Sequence, residues 1–124
     1  MNNVIYEGFF VTEKLNSKLK KDIKDKHITT EFRPEITHEH LIGLHAKFEV
    51  VGYGINDDNE GYKVRLISCD NKELVDLYRK IDIPHITLSV SETGKPVNTR
   101  YLDFHETDSF VIDTVFNCWK GEKR

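Results

Sequence analysis

The clearest alternation of apolar and polar residues in this chain lies at residues 84–90, with the sequence PHITLSV. Successive side chains of a strand point to opposite faces, so this pattern predicts a β-strand with one apolar and one polar face. The face expected to enter a core carries Ile86, Leu88 and Val90. The opposite face carries a row of groups that donate, accept or titrate: His85, Thr87 and Ser89.

A second His-Ile-Thr triplet lies upstream, at residues 27–29. Shifting the chain by 58 positions places the first triplet on the second, and it also places Leu19 on Leu77 and Ile23 on Ile81. A unit of strand, helix and His-containing strand therefore recurs, which predicts two related lobes. Packed about a pseudo-two-fold axis, these lobes would make the two His-Thr rows face each other across a groove.

The first half of the chain is predicted to form a strand, a helix and a second strand. Residues 4–11 are rich in β-branched and aromatic side chains, which favour a buried strand. Thr12 is a suitable N-cap for the helix that follows. The apolar stripe of that helix would consist of Leu15, Leu19 and Ile23. The strand at residues 27–32 is expected to stop at Arg33-Pro34 and to open a polar loop.

The second half is predicted to contain a hairpin, a helix and two more strands. Residues 47–55 and 62–68 read as strands joined by the polar turn at 56–61. Asp70 is expected to cap the helix, whose apolar stripe would continue to residue 81. The strand at 85–90 follows, then a segment at 97–102 that fits a short helix or a loop. A strand at 110–119 closes the sheet, and residues 121–124 are expected to fray.

Composition adds bounds to this picture. The chain has 124 residues, of which 38% are hydrophobic and 31% charged, as expected for one globular domain spanning residues 1–124. It has no apolar run long enough to cross a bilayer and no recognisable signal peptide, so we expect a cytoplasmic protein with no membrane partner. In that compartment Cys69 and Cys118 would stay reduced. The net charge of -3 argues against binding to long duplex nucleic acid.

A pair of His-x-Thr motifs suits the cleavage of a phosphodiester without a metal ion. On a strand this spacing puts the imidazole and the hydroxyl on one face. A neutral histidine can take a proton from the attacking oxygen while a protonated one gives a proton to the leaving oxygen. Hydroxyl groups beside them can bind the non-bridging oxygens. We therefore predict His27, Thr29, His85 and Thr87 as the catalytic set.

These motifs, each on a strand of a repeated unit, resemble the two-histidine (2H) phosphoesterase superfamily, which includes LigT-like RNA phosphodiesterases and the cyclic phosphodiesterase domains of tRNA ligases. The resemblance implies an α+β, duplicated, two-lobed fold with mostly antiparallel sheets, one helix per lobe and a central groove. It also implies acid and base roles for the two motif histidines and no cofactor. The substrates implied are 2',3'-cyclic phosphate ends, 2'-5' linked oligonucleotides and, in phage-encoded members, cyclic oligonucleotide immune signals.

Residues near the two motif strands are candidates for substrate binding. Aromatic side chains can stack on nucleobases, although such residues more often belong to a core. The aromatic candidates are Tyr6, Phe32 and Tyr53. Three basic residues follow the motif strands closely and could bind phosphate, with surface charge as the more ordinary role: Arg33, Lys95 and Arg100. From these sets we predict Tyr6, Phe32 and Arg33 as substrate-binding residues.

Two other clusters of residues resemble metal-binding sites, but their spacing does not favour that interpretation. His38, His40 and His45 lack the helical His-Glu-x-x-His spacing, so we expect a polar loop at the rim, with a metallohydrolase as the alternative. The acidic turn at 57–61 resembles a calcium loop, but Ser68 stands where the bidentate glutamate should be. A non-catalytic protein that binds or sequesters nucleotides is the second alternative. The oligomeric state is left open.

Overall fold

A computed structural model describes residues 3–120 of the chain. Seven strands lie within this range: β1 (Val4–Val11), β2 (Lys21–Asp22), β3 (His27–Phe32), β4 (His45–Ile55), β5 (Asn59–Ser68), β6 (His85–Val90) and β7 (Val111–Lys120). One α-helix, α1 (Lys72–Arg79), and two 3-10 helices, Glu39–Leu41 and Pro96–Tyr101, complete the regular structure. The predicted α+β class with mainly antiparallel pairing is confirmed. Residues 1–2 and the predicted frayed tail, 121–124, lie outside the described residues.

The strands form one sheet in the order β2-β6-β5-β4-β7-β1-β3, and the described strand pairs are antiparallel. The β4–β7 pair lies between the two halves of the sheet. From β4 outward the order is β4, β5, β6, and from β7 outward it is β7, β1, β3. Although four strands separate β3 from β6 in the sheet, the two strands contact each other. The sheet therefore curls until its two motif-bearing strands meet.

The concave core of the sheet is filled by aromatic and branched side chains. The Phe9 ring packs edge-on against Phe48 and Phe116, with centroids 5.0 and 5.8 Å apart. All three rings are inaccessible to solvent. The apolar face predicted for β6 is confirmed, because its three members are buried: Ile86, Leu88 and Val90. Ile28 of the first triplet is buried in the same core.

The helix predicted after Thr12 is wrong. Residues 12–26 are irregular apart from β2, which pairs with the end of β6. Leu15 is nevertheless buried, so an apolar residue at this spacing reached the core without a helix. The N–H groups of Lys18 and Leu19 donate to side chains of the sheet, the Glu60 carboxylate at 2.8 Å and the Ser89 hydroxyl at 3.1 Å. These long-range bonds replace helical ones, and the expectation of one helix per lobe fails.

The helix predicted in the second half is confirmed as α1, with a correction to its cap. Asn71, rather than Asp70, is the N-cap, because its side-chain oxygen accepts the N–H of Leu74 at 2.9 Å. Leu74 and Leu77 are the buried members of the predicted stripe. This one helix delivers the chain to β6.

The remaining boundaries differ only slightly from expectation. The hairpin strands begin at His45 and Asn59, since Asn56 closes a tighter turn by accepting the N–H groups of two residues that follow it. The uncertain segment at 97–102 contains the second 3-10 helix, and the last strand is confirmed as β7. Cys69 and Cys118 are both free thiols. Within residues 3–120, no helix combines the length and the apolar character needed to cross a bilayer.

Candidate active site

Both His-x-Thr motifs line one pocket of about 850 Å³ between β3 and β6. The curled sheet brings together the four predicted catalytic residues, which stand 58 positions apart in pairs: His27, Thr29, His85 and Thr87. Tyr6 and Phe32 line the same pocket. The pocket walls also include the segment between α1 and β6 and the second 3-10 helix, with Ile81, Ile83 and Val97 as apolar members.

A glycine on the neighbouring strand faces the threonine of each motif. Gly8 of β1 is the register partner of Thr29, and Gly61 of β5 is the register partner of Thr87. In both pairs the register shifts immediately before the glycine, which marks a β-bulge or comparable irregularity. Each motif strand thus pairs with a neighbouring strand that has a glycine and a register shift opposite the motif threonine.

Close backbone approach explains why these positions are glycine. A Cβ on Gly8 would lie 2.3 Å from the carbonyl oxygen of Ile28, the middle residue of the first triplet. A Cβ on Gly61 would lie 2.7 Å from the carbonyl oxygen of Ile86, the middle residue of the second. Any side chain would therefore push the motif strand away from its neighbour.

A buried glutamate precedes each of these glycines. Glu60 accepts hydrogen bonds from the hydroxyls of Ser89 at 2.7 Å and Tyr53 at 2.5 Å, besides the N–H of Lys18. Ser89 is fully buried by this contact, so the predicted polar row of β6 reaches the pocket only through its first two members. Burial, followed by the hydrogen bond to Glu60, raises the pKa of Tyr53, so this phenol stays protonated and donates to the carboxylate. Tyr53, an aromatic candidate for base stacking, does not line the pocket.

Glu7 anchors the loop after β3 in a comparable way. Its carboxylate accepts the backbone N–H of His38 at 2.6 Å and contacts the Nδ1 atom of the same residue at 2.8 Å. The Cys118 thiol donates to it at 3.2 Å, and burial together with this bond raises the pKa of Cys118 to about 12. Sequence reasoning missed both glutamates. Their signal was the repeated Glu-Gly dipeptide, which recurs after 53 rather than 58 positions.

The two imidazoles are oriented by identical local contacts. Nδ1 of His27 lies 2.7 Å from the carbonyl oxygen of Asp25, and Nδ1 of His85 lies 2.7 Å from the carbonyl oxygen of Ile83. In both cases the acceptor is two residues earlier in the chain. A carbonyl can only accept, so Nδ1 carries the proton and donates it. Each Nε2 is therefore left for a ligand, as an acceptor when the ring is neutral and as a donor when it is charged.

Burial lowers the pKa of both histidines below the ordinary value of 6.5. For His27 the carbonyl bond to Asp25 opposes this shift, and the charge of His85 adds to it. For His85 the carbonyl bond to Ile83 opposes the shift, and the charge of Arg100 adds to it. Because a charge on His85 disfavours a proton on His27, the two imidazoles titrate as a coupled pair. The singly protonated form of that pair has one acid and one base.

The wall around His27 is aromatic. Its ring stacks on Tyr6 with centroids 4.2 Å apart and lies 5.2 Å from the Phe10 ring. Tyr6 in turn stacks on Trp119 of β7 at 5.7 Å. Burial, and secondarily the charge of Asp25, raises the pKa of Tyr6 to about 12, so the phenol is protonated over the whole physiological range.

The wall around His85 carries hydroxyl and charged groups in addition to its apolar residues. The Thr87 hydroxyl donates to the Thr99 hydroxyl at 2.9 Å, and Asn59 donates to the same hydroxyl at 3.0 Å. Lys80 and Arg100 line the pocket on this side. The surroundings of the two motifs are thus chemically different although their backbone supports match.

The other predicted binding residues divide between the pocket edge and the surface. Phe32 is 63% exposed at the end of β3, and the Arg33 guanidinium lies over its ring at 5.3 Å. Arg33 does not line the pocket but has a φ of 50°, a left-handed conformation that is strained for a residue with a side chain. Lys95 also stays outside the pocket, where its carbonyl accepts a hydrogen bond from Asn59.

The alternative metal cluster is dispersed over separate contacts. His38 pairs with Glu7, whereas the other two histidines pair with carboxylates of α1 and β7, at 2.9 Å to Glu73 and 3.0 Å to Asp113. Across residues 3–120 there is no group of three or more His, Cys, Asp or Glu side chains able to hold a metal ion. The acidic turn instead binds the chain after β6, because Asp58 accepts the Ser91 hydroxyl at 2.8 Å.

Comparison with known proteins adds no family assignment. No protein-family model matches the chain, and a search of curated proteins finds no significant match.

Proposed function

We propose that the protein is a metal-independent phosphodiesterase that cleaves a small nucleotide or an oligonucleotide by paired-histidine acid and base catalysis. The observation that carries the proposal is that two His-x-Thr motifs line one pocket, with both Nδ1 atoms 2.7 Å from equivalent carbonyl oxygens. The matching strand orders on either side of the β4–β7 pair support a duplicated, two-lobed fold of the 2H type.

In the proposed reaction the scissile phosphate lies between His27 and His85. The neutral imidazole accepts the proton of the attacking hydroxyl or water through Nε2, and the protonated imidazole donates its Nε2 proton to the leaving oxygen. The Thr29 hydroxyl donates to a non-bridging oxygen as negative charge grows in the transition state, and the Thr87 hydroxyl does the same by turning its single proton away from the Thr99 oxygen. Attack by a 2'-hydroxyl of the substrate releases a cyclic phosphate, whereas attack by water releases a monoester.

The walls of the pocket support a nucleotide substrate. Its volume of about 850 Å³ exceeds the needs of a phosphate group and falls within the range of pockets for organic ligands. Among the lining residues, Phe32 offers an exposed aromatic ring and Val97, 63% exposed, offers an apolar side chain. Such surfaces stack on or cover nucleobases. The resemblance to 2H enzymes points to 2',3'-cyclic, 2'-5' linked or cyclic oligonucleotide substrates.

The test is turnover by the purified protein in EDTA. The panel contains 2',3'-cyclic nucleotides, 2'-5' oligoadenylate, cyclic dinucleotides and cyclic trinucleotides, and products are separated by chromatography. Cleavage of at least one class, lost in His27→Ala, supports the proposal. Binding without product across the panel would instead identify a nucleotide-sequestering protein. Cleavage that EDTA abolishes would identify a metallohydrolase.

A further inference from the structure

We propose that Arg100 binds the substrate directly, through a hydrogen bond from its guanidinium to a non-bridging oxygen of the phosphate held between the two motifs. The inference rests on the proposed function and adds to it a residue outside both His-x-Thr motifs. It assigns the anion subsite of the pocket to the wall formed by the second 3-10 helix.

The fold fixes the segment that carries Arg100 beside the β6 motif. Thr99 is fully buried and is hydrogen-bonded to Thr87 and Asn59, so the 3-10 helix is attached to β5 and β6. Arg100, the next residue, lines the pocket together with His85 and Thr87. The neighbouring Tyr101 ring lies 5.4 Å from the guanidinium carbon and supports it from the outside.

The guanidinium has an unused donor. Nε of Arg100 is buried and has no hydrogen-bond partner among residues 3–120, and no other side-chain nitrogen or oxygen in that range combines these two properties. Buried polar groups in native proteins almost always have partners, and an unpaired donor carries a desolvation penalty. A phosphate entering the pocket would supply the missing acceptor after a small rotation of the side chain.

The present partner of Arg100 is easy to exchange. Nη2 lies 3.0 Å from Oδ2 of Asp82, and the two side chains are 36% and 79% exposed respectively. Ion pairs with this exposure contribute little to stability because water and salt screen them. A phosphate accepts two parallel bonds from a guanidinium, which is a stronger arrangement. Asp82 therefore acts as a temporary partner that phosphate replaces.

The electrostatics of the pocket agree with this placement. After burial, the Arg100 charge is the influence that lowers the pKa of His85, which requires the guanidinium to be close to the imidazole. The other titratable or charged groups that line the pocket with His85 are Tyr6, His27, Glu31, Lys80 and Asp82. A phosphate between Arg100 and His85 would be attracted by both when the imidazole is protonated.

The experiment measures binding of inorganic phosphate to the isotope-labelled protein by NMR, in EDTA at constant ionic strength. Five proteins are compared: wild type, Arg100→Met, Arg100→Lys, Asp82→Asn and Arg65→Met. Arg65 is a matched control because it also forms an exposed pair, with Glu49, on a part of the sheet away from the pocket. The resonances of His27 and His85 report on occupancy.

We expect Arg100→Met to weaken phosphate binding about 10- to 100-fold, the loss for a charge-assisted hydrogen bond. Arg100→Lys should recover part of it, because lysine keeps the charge but lacks the bidentate fork. Asp82→Asn should bind phosphate at least as tightly as wild type, and Arg65→Met should match wild type. The pKa of His85 should rise in Arg100→Met alone.

Three results would overturn the inference: wild type that does not bind phosphate, Arg100→Met that binds it as wild type does, or Asp82→Asn that is weakened as much as Arg100→Met. The last result would mean that Arg100 acts through its pair with Asp82. This experiment measures no turnover. Phosphate binding can therefore fail while the panel of phosphodiesters is still cleaved, and phosphate can bind as expected while no phosphodiester is cleaved. The two proposals are therefore tested separately.

Discussion

The two halves of the sheet hold their His-x-Thr motifs with the same backbone contacts, but the side chains around the two motifs differ. In both halves a Glu-Gly pair sits on the neighbouring strand, the glycine faces the motif threonine, and Nδ1 of the motif histidine lies 2.7 Å from a carbonyl two residues earlier. Around β3 the imidazole lies against aromatic rings, whereas around β6 it lies beside an arginine and a hydroxyl network. The shared features fix geometry, and the different ones set charge and solvation.

Matching backbone contacts combined with different surroundings suit two histidines of which one acts as an acid and the other as a base. An acid and a base must approach one phosphate with similar geometry, which equivalent strands and bulges provide. They must also hold different protonation states, which different surroundings favour. Each prediction below either breaks one of the shared features or changes one of the different ones.

The largest effect is expected from removing either imidazole. His27→Ala and His85→Ala should each lower the rate about 10²- to 10⁴-fold, since a general acid or base contributes that much. Steady-state kinetics on a cleaved substrate measures the loss, and circular dichroism checks that the fold is kept. His45→Ala is the control, because His45 is exposed and pairs with Asp113 outside the pocket. Full activity in either His27→Ala or His85→Ala would contradict a mechanism that needs both imidazoles.

The next effect is on stability and tests the shared backbone support. Gly8→Ala and Gly61→Ala should each lower the free energy of unfolding by about 1–3 kcal/mol, since the added Cβ would overlap a carbonyl of the motif strand. Gly52→Ala on β4 should cost less, because its Cβ would meet side-chain atoms at 3.2 and 3.3 Å. Urea denaturation measures all three. Equal losses at the three positions would contradict a special role for the two motif-facing glycines.

Removing a motif hydroxyl should have a smaller effect on catalysis. Thr29→Val and Thr87→Val should each lower kcat about 10-fold, the value of one hydrogen bond in the transition state. Thr93→Val, in the exposed turn after β6, should leave kcat unchanged. A rise in KM with constant kcat would show that the hydroxyls bind the ground state and the transition state equally.

The smallest effect is a displacement of the pH profile. We expect kcat/KM to be bell-shaped, with both apparent pKa values below about 6.5, because burial lowers the pKa of each free imidazole. The rate should fall as pH rises through the upper value, where the acid loses its proton, and as pH falls through the lower value, where the base gains one. A profile that is flat across this range, with chemistry rate-limiting, would contradict the mechanism.

Sequence patterns were sufficient where burial follows strand periodicity. One face of each correctly predicted strand is buried, and the alternation of apolar and polar residues reflects that burial. This pattern predicted both motif strands, the hairpin and the last strand. The helix after Thr12 was wrong because Leu15 can reach the core from an irregular segment. What replaces that helix is a set of bonds to Glu60 and Ser89, residues more than 40 positions away, which no local pattern encodes.

The four motif residues could be predicted because the triplet repeats exactly. Their buried supports could not, since the Glu-Gly pairs recur after 53 positions whereas the triplets recur after 58. The assignment of Ser89 to the polar face ignored the partner strand, where Glu60 faces it and buries it. Arg100 could be predicted only as one of three basic residues that follow the motif strands, because its unpaired donor exists only in the folded pocket.

The most direct test of the account is the pKa of His27, measured by NMR titration in wild type, His85→Gln and His105→Gln. His85 lowers the pKa of His27 by its charge, so replacing it with a neutral side chain should raise that pKa. His105 is exposed and lies outside the pocket, so its replacement should change nothing. A pKa of His27 that is the same in all three proteins would mean that the two imidazoles do not face one phosphate, and the paired-histidine mechanism would fall.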